Sequence, residues 1–391
     1  MVTFTQLSVP GIRAAKFRDL NLLRLQNDTL VFACDSVGSV GMLPFDAFRR
    51  TPEEAGKSYS KCVLMELLAA GADITALYGD FCYAAAASEE QICQSIRTEL
   101  SALGLDPSLF RASFGSASNP KCTAFGITAV GRILPGKQRL GTSQPGDRLY
   151  AVGIPSRKDE QDAQCTPGDV QKLLAVSGVH EILPCGSHGI AGELAALAQS
   201  SGLSFEEAAD HPLCGELELS CGPSAVVLVS AVCAAEALEA LGLNKPITLL
   251  GTLTGCAATM ALPASDTPCT LREDGTICIG DAVLNTACAV SLGKGMKAFD
   301  GPVRVPSENI VRRLAAGLID EMKADGSEPL LVVNNLNISM KGGGKGTIAA
   351  LRELIEPFQM KPDFQLTGST EDNHEAKQSG YALRIFGLRV G

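Results

Sequence analysis

The 391-residue sequence contains no Cys-x-x-Cys pair and only four histidines, although it carries fourteen cysteines. Zinc frameworks need closely spaced thiolate and imidazole ligands, so this absence argues against a zinc-built domain. The cysteines are scattered from Cys34 to Cys288, most of them inside apolar runs such as "VVLVSAVCAAEAL" around Cys233. A free thiol packs there as a small hydrophobe, and these residues are expected to be reduced and in the core. No apolar run approaches the roughly 18 to 20 residues needed to cross a bilayer, and the opening "MVTFTQLSVPGIRAAKFRDL" lacks the apolar centre of a signal peptide. A cytoplasmic protein with no membrane partner is the expectation. Clusters of Lys and Arg interleaved with aromatics are missing too, and the formal charge of −10 opposes nucleic-acid phosphates. With 46% hydrophobic and 19% charged residues the chain has the composition of a folded protein, long enough for two or three domains of roughly 150 residues each.

What is present is a repeated pattern. "FRASFGSASNPKCTAFGITAVG" from Phe110 matches "FQLTGSTEDNHEAKQSGYALRIFG" from Phe364 as strand, Gly-Ser turn, Asn, strand, Gly. Upstream, "NDTLVFACDSVG" from Asn27 matches "EDGTICIGDAVLN" from Glu273, which pairs Asp35 with Asp281 as carboxylates at strand ends. Pro52 precedes Glu66, and Pro306 precedes Asp320, by the same interval, each within a helix that runs into a buried strand. The order β, α, β, α, β recurs in both copies and suggests a dimer fused into one polypeptide. The expected domains are a first copy over 1–145, a distinct segment over 146–258 and a diverged second copy over 259–391. Such a chain would be complete as a monomer (a pseudodimer) or would assemble as a homodimer.

The middle segment reads as strand "GDRLYAVG", a loop "PCGSHGIAGEL" entering a helix, then strand, small-residue turn, strand, helix and strand through "LELSCGPSAVVLVSAV", "CAAEALEALGL" and "PITLLGTLT". Ser187 and His188 fall at the start of the helix, where backbone N–H groups favour an anion; plain N-capping by Ser187 is the competing reading. "MKGGGKGTIAALREL" places Gly342, Gly343, Gly344 and Lys345 before another helix, a phosphate-cradling pattern short of a full Walker A, with a flexible loop as the alternative.

Taken in order, "ACDSVG", "LMELLAAGA", "FGITAVG", "GDRLYAVG", "GSHGIAGEL", "SCGPSAVVLV" and "LGTLT" resemble the aminoimidazole-ribotide (AIR) synthetase superfamily. The resemblance runs through the first 255 residues, with the last 120 or so as a second amino-terminal domain. It implies an α/β (α+β) fold whose paired amino-terminal domains form a central β-barrel with one flanking α/β domain, and Mg-ATP held by carboxylates at the junction. "ACDSVGSVG", "GSHGI" and "GSTEDN" are most similar to the α-ribazole kinase branch, which phosphorylates the 5′-hydroxyl of α-ribazole in cobalamin salvage. Other AIR-synthetase-type chemistries, thiamine-phosphate kinase-like or oxygen-activating, and a nucleotide-binding pseudoenzyme are the alternatives. No reactive Cys and Lys pair stands in a Gly-rich amino-terminal segment as the selenide-activating branch would need, and "FGLRVG" carries no terminal cysteine for a carbamoyl load.

Phosphoryl transfer needs carboxylates to hold Mg²⁺ on the phosphates and N–H donors to cradle them. The copies divide these parts unequally. The first has Asp35 with the flanking Gly38, and Glu66, but an acid-free "GSASN"; the last has "GSTEDN" with Ser369, Glu371 and Asp372, and Asp320, but no glycines after Asp281. Asp35 and Glu371/Asp372 are therefore expected to meet in one composite site, leaving the mirror-related site degenerate. The expected metal ligands are Asp35, Glu66, Asp281, Asp320 and Glu371, with a small-molecule substrate and no nucleic-acid partner. Solvated helix carboxylates are the bland reading for Glu66 and Asp320, and an Asx turn for Asp372.

Overall fold

The computed structural model describes residues 3–6, 13–38, 40–44, 46, 48–83, 86–114, 123–155, 161–255, 265–292, 308–337, 363–367 and 380–390, which form three principal sheets. The first is built from β1 (Thr3–Gln6), β2 (Arg13–Phe17), β3 (Leu20–Arg24) and β4 (Thr29–Gly38). A small ribbon of β5 (Val40–Gly41) and β6 (Phe48–Arg49) follows, then α1 (Pro52–Ala69), β7 (Asp73–Tyr83), α2 (Ala86–Ala102), β8 (Phe110–Phe114) and β9 (Ala124–Ile133). The strands lie in the order β1-β2-β3-β4-β9-β7-β8. Helix α1 starts where it does because Thr51 and Glu54 cap each other: the Thr51 N–H donates to Glu54 Oε2 at 2.9 Å and the Glu54 N–H to Thr51 Oγ1 at 3.3 Å, with Pro52 next in line. It is followed by Gly71 at φ +78°, where a Cβ would stand 2.0 Å from the Lys137 carbonyl oxygen, so only glycine fits.

The second sheet contains β10 (Arg148–Gly153), then α3 (Pro167–Leu174), β11 (Val179–Cys185), α4 (Gly189–Ser201), β12 (Ser204–Glu207), β13 (Val226–Ala231), α5 (Ala235–Glu239) and β14 (Ile247–Thr254). Its strands run β11-β13-β10-β14-β12, with every ladder antiparallel. Strand β13 is buried at all of its positions, matching its unbroken apolar run. "LELS", expected as a strand, is turn instead: its Leu217 carbonyl accepts the Ala191 N–H of α4 at 2.9 Å, and the Leu219 N–H returns to Glu216.

The third sheet holds β15 (Cys269–Leu271), β16 (Ile277–Ile279), β17 (Ala282–Leu292), α6 (Glu308–Ala324), β18 (Ser327–Asn337), β19 (Asp363–Thr367) and β20 (Gly380–Val390), ordered β15-β16-β17-β20-β18-β19. This is the order β2-β3-β4-β9-β7-β8 again, with the same parallel last pair. The ladders correct one alignment. Strand β4 opens on β9 with Thr29 opposite Ile133, and β17 opens on β20 with Ala282 opposite Val390, so Asp281 occupies the place of Asp28 before the strand. Asp35 is not at a strand end either, since its ladder continues to Gly38 opposite Ala124.

The first and third sheets face one another. Leu23, Leu30, Phe32 and Val130 share one apolar core with Ile277, Phe386 and Leu388, and the Phe32 and Phe386 rings meet edge to face with centroids 5.0 Å apart. Within this interface Arg384, 3% exposed, bonds the fully buried Asp80 through Nε at 3.2 Å and through Nη2, donates to Thr286 Oγ1 at 3.3 Å and lies over the Tyr78 ring. The expected closed barrel is not formed: no ladder among the described residues joins an edge of one sheet to the other, and the two meet through side chains on their faces.

Removing one partner of a buried ion pair strands the other charge, at a cost of about 3–5 kcal/mol. Arg384→Leu should therefore lower the urea midpoint strongly, and Asp80→Leu/Arg384→Leu should recover much of the loss. Equal stability of wild type and single variant would remove the pair from any role in holding the sheets together.

Candidate active site

Helix α1 carries the site because it is buried on two sides. Tyr59, Val63, Leu64 and Leu67 pack into the first sheet's core, while Met65 and Ala69 join Tyr150, Val152, Ile182 and Val229 of the second sheet. Cys62 and Glu66, one turn apart, share a face of that helix. The Cys62 thiol donates to the Asp35 carboxylate and accepts from the Ser224 hydroxyl, so a strand of the first sheet, α1 and the loop before β13 converge on one sulfur. Burial first, and then the Asp35 and Glu66 carboxylates, push this thiol well above its ordinary pKa; it is neutral and poorly nucleophilic. Ser224 is held at φ +43°, a left-handed conformation uncommon for a residue with a side chain, directly after the cis Gly222-Pro223 bond.

A second junction bolt lies nearby. The wholly buried Glu181 of β11 accepts from Arg18 Nη2 at 2.7 Å, from the Gly141 N–H at 2.8 Å, and from the Ser143 N–H and hydroxyl at 3.1 and 2.7 Å. Arg18 sits in the β2–β3 hairpin turn and also donates to Ser200 Oγ of α4 at 3.0 and 2.8 Å. One carboxylate thus ties the hairpin, the chain entering β10, and β11 together. Between hairpin, α1 and β11 opens a cleft lined in part by Glu66.

Ser187 and His188 are exposed beside this region, with His188 at the N-cap of α4 and making no side-chain cap bond. The N–H groups expected to cradle an anion are already engaged. Those of Gly189, Ala191 and Gly192 reach the carbonyls of Gly186, Leu217 and His188, and that of Ile190 reaches Cys221 Sγ. The exposed side chains of Ser187 and His188 remain for a ligand. Glu193, on the same helix, has its carboxyl raised by burial and then by the nearby Asp19.

The structure thus places Asp35 and Glu66 each near enough to Cys62 to act on its thiol. Gly38 ends the same strand, beyond Asp35. Asp281 is exposed in the β16–β17 turn and Asp320 is exposed on α6. Gly342, Gly343, Gly344, Lys345, Ser369, Glu371 and Asp372 lie outside the described residues. Among the described residues no group of three or more His, Cys, Asp and Glu side chains is arranged to hold a metal ion. Sequence reasoning missed Cys62, Ser224, Arg18 and Glu181. Cys62 could have been found from its one-turn spacing to Glu66; the other three become neighbours only through long-range packing. Of the cysteines described, all are free, and eight of them, from Cys34 to Cys278, are buried.

No family model matches the chain, and no curated protein matches it in sequence. Solved structures do match its fold. Thermotoga maritima PurL complexed with AMPPCP aligns at TM-score 0.57 and 12% identity over 94% of this chain and 74% of that one. PurL complexed with FGAR aligns at 0.58 and 11% over 99% and 76%, and PurL complexed with ADP at 0.59 and 11% over 94% and 73%. These neighbours are members of the AIR-synthetase-like superfamily, and at such identities the likeness is one of fold.

Native-state iodoacetamide labelling near neutral pH should modify the exposed Cys214 long before the buried Cys62, read by peptide mass spectrometry. Equal labelling would mean that the node around Cys62 is open to solvent.

Proposed function

We propose that this chain is an ATP-dependent enzyme of the AIR-synthetase type, and that it transfers the γ-phosphoryl group of Mg-ATP to a hydroxyl of a small nucleoside-like alcohol. The preferred acceptor is α-ribazole, giving its 5′-phosphate. The observation that carries the reading is the convergence of Asp35 and Glu66 on Cys62 at the junction of two sheets, beside a cleft, in a fold shared along nearly the whole chain with PurL complexed with ATP. Mg²⁺ prefers hard oxygen donors and is commonly held by one or two carboxylates plus substrate phosphates. Asp35 and Glu66 fit that demand, and the neutral Cys62 thiol offers no competing soft ligand. When bound, the ion would offset charge on the phosphates during transfer.

Asp35 would contribute from the first sheet, and Glu371 and Asp372 from the segment after β19. Support for their approach is that β18 and β19 pack against β4, the strand bearing Asp35. Gly342, Gly343, Gly344 and Lys345, with Ser369, are proposed to cover the phosphates, and the side chains of Ser187 and His188 to border the site. The recurring strand order supports a duplicated module, with domains over 1–145, 146–258 and 259–391 and a pseudodimeric monomer. A mirror-related site drawing on Asp281 and Asp320 is proposed to be degenerate.

The test is product mass after incubation with Mg-ATP and α-ribazole. Wild type should form the 5′-phosphate, and Asp35→Asn and Glu371→Gln should each lose about 100-fold or more in rate, the scale on which preorganised electrostatic groups act. Full activity of either variant would remove that carboxylate from the site, and absence of product in the wild type would refute the acceptor.

A further inference from the structure

Two buried cysteines of the second sheet are bonded to each other. Cys185 closes β11, Cys221 lies in the loop before β13, and neither is exposed to solvent. The backbone fastens that loop beside the strand end. The Cys221 N–H donates to the Gly186 carbonyl at 3.0 Å, the Ala225 N–H returns to the Cys221 carbonyl at 2.6 Å, and Cys185 stands opposite Val226 in the β11–β13 ladder. The two sulfurs are thereby within hydrogen-bonding reach, with the Cys185 thiol donating to Cys221 Sγ. A disulfide asks for Cα atoms roughly 4.4 to 6.8 Å apart, about the spacing of neighbouring backbones that are hydrogen-bonded side by side.

Their surroundings separate the two sulfurs chemically. Cys221 accepts from the Cys185 thiol and also from the Ile190 N–H in the first turn of α4, which favours its thiolate and lowers its pKa against the opposing effect of burial. Burial first, and then the bond to Cys221, raise the Cys185 thiol well above its ordinary value. Cover over the pair is thin: Glu218, Leu219 and Ser220 just before Cys221, and Ser187 and His188 just after Cys185, are exposed.

We propose that Cys221 and Cys185 form a peroxide-sensitive dithiol, with Cys221 the attacking sulfur and Cys185 the resolving one, whose oxidation ties the end of β11 to the loop that presents Ser224. The Cys221 thiolate displaces hydroxide from hydrogen peroxide and becomes a sulfenic acid, the hydroxide taking up the proton that Cys221 gave up. The Cys185 sulfur then attacks the sulfenic sulfur, and its proton leaves with the displaced hydroxyl as a second water. The dithiol loses two electrons and the peroxide gains them. Because Ser224 donates to Cys62, the bond fixes a loop that reaches the node on α1. The dithiol does not depend on the ATP-dependent reading of that node.

The test is disulfide mapping of the full-length chain by peptide mass spectrometry after treatment with hydrogen peroxide. Wild type should show a Cys185–Cys221 link that dithiothreitol reverses, and amide exchange across residues 217–225 should slow by about tenfold in the oxidised protein and recover on reduction. In Cys185→Ala, where no resolving sulfur remains, dimedone should capture a sulfenic acid at Cys221. Both wild-type readouts stand on their own should that core variant fail to fold. Overoxidation of Cys221 with Cys185 left as a thiol, a link from Cys221 to the exposed Cys214, or exchange that oxidation leaves unchanged would overturn the proposal.

Discussion

The double burial of α1 is the constraint from which the candidate site follows. A surface helix covers a sheet with one apolar stripe and gives its other side to water. Here Leu64 and Leu67 lie in one core while Met65 and Ala69 lie in another, so the helix can neither rotate nor slide without opening both. Cys62 and Glu66 inherit that fixity. Asp35 is held by its ladder to Ile127, and Ser224 by a backbone that leaves it at positive φ, so three independent elements agree on one node. Rigid placement of first-contact groups is what phosphoryl transfer asks of a protein, since the reaction needs positioning and charge more than covalent help.

The third sheet is attached by a different principle. Apolar side chains from facing sheets supply the bulk of that contact, and the Asp80–Arg384 pair at its centre specifies register, because a shifted sheet would leave two buried charges apart. Face packing leaves the sheet edges unjoined, which is why two open sheets stand where a closed barrel was expected. It also lays β18 and β19 on β4, the strand carrying Asp35.

Much of the fold could be read from residues. The unbroken apolar run of β13, the helix carrying Glu66 after Pro52 and the helix after the Gly-Ser-His-Gly loop appear where the patterns put them. Reading failed where period and polarity do not discriminate. β16 and β17 are adjacent apolar strands, and alternation alone cannot tell which of them corresponds to β4, so Asp281 was matched to Asp35 and not to Asp28. The start of α4 had an anion-binding sequence, but its donors are satisfied by Gly186, Leu217, Cys221 and His188, partners that include residues almost thirty positions away. Arg18 and Glu181 are ordinary surface types in a linear string. Their pairing across 163 residues exists only once the hairpin docks on β11.

The most direct test of the account is the position of the metal in crystals grown with Mn²⁺ and a non-hydrolysable ATP analogue, located by anomalous scattering. A peak bound by the Asp35 carboxylate, with Glu66 beside it and the nucleotide phosphates on its open side, is the predicted result. A nucleotide bound with its metal away from Asp35, or seated without any metal at the node around Cys62, would contradict the central claim that this junction is the catalytic site.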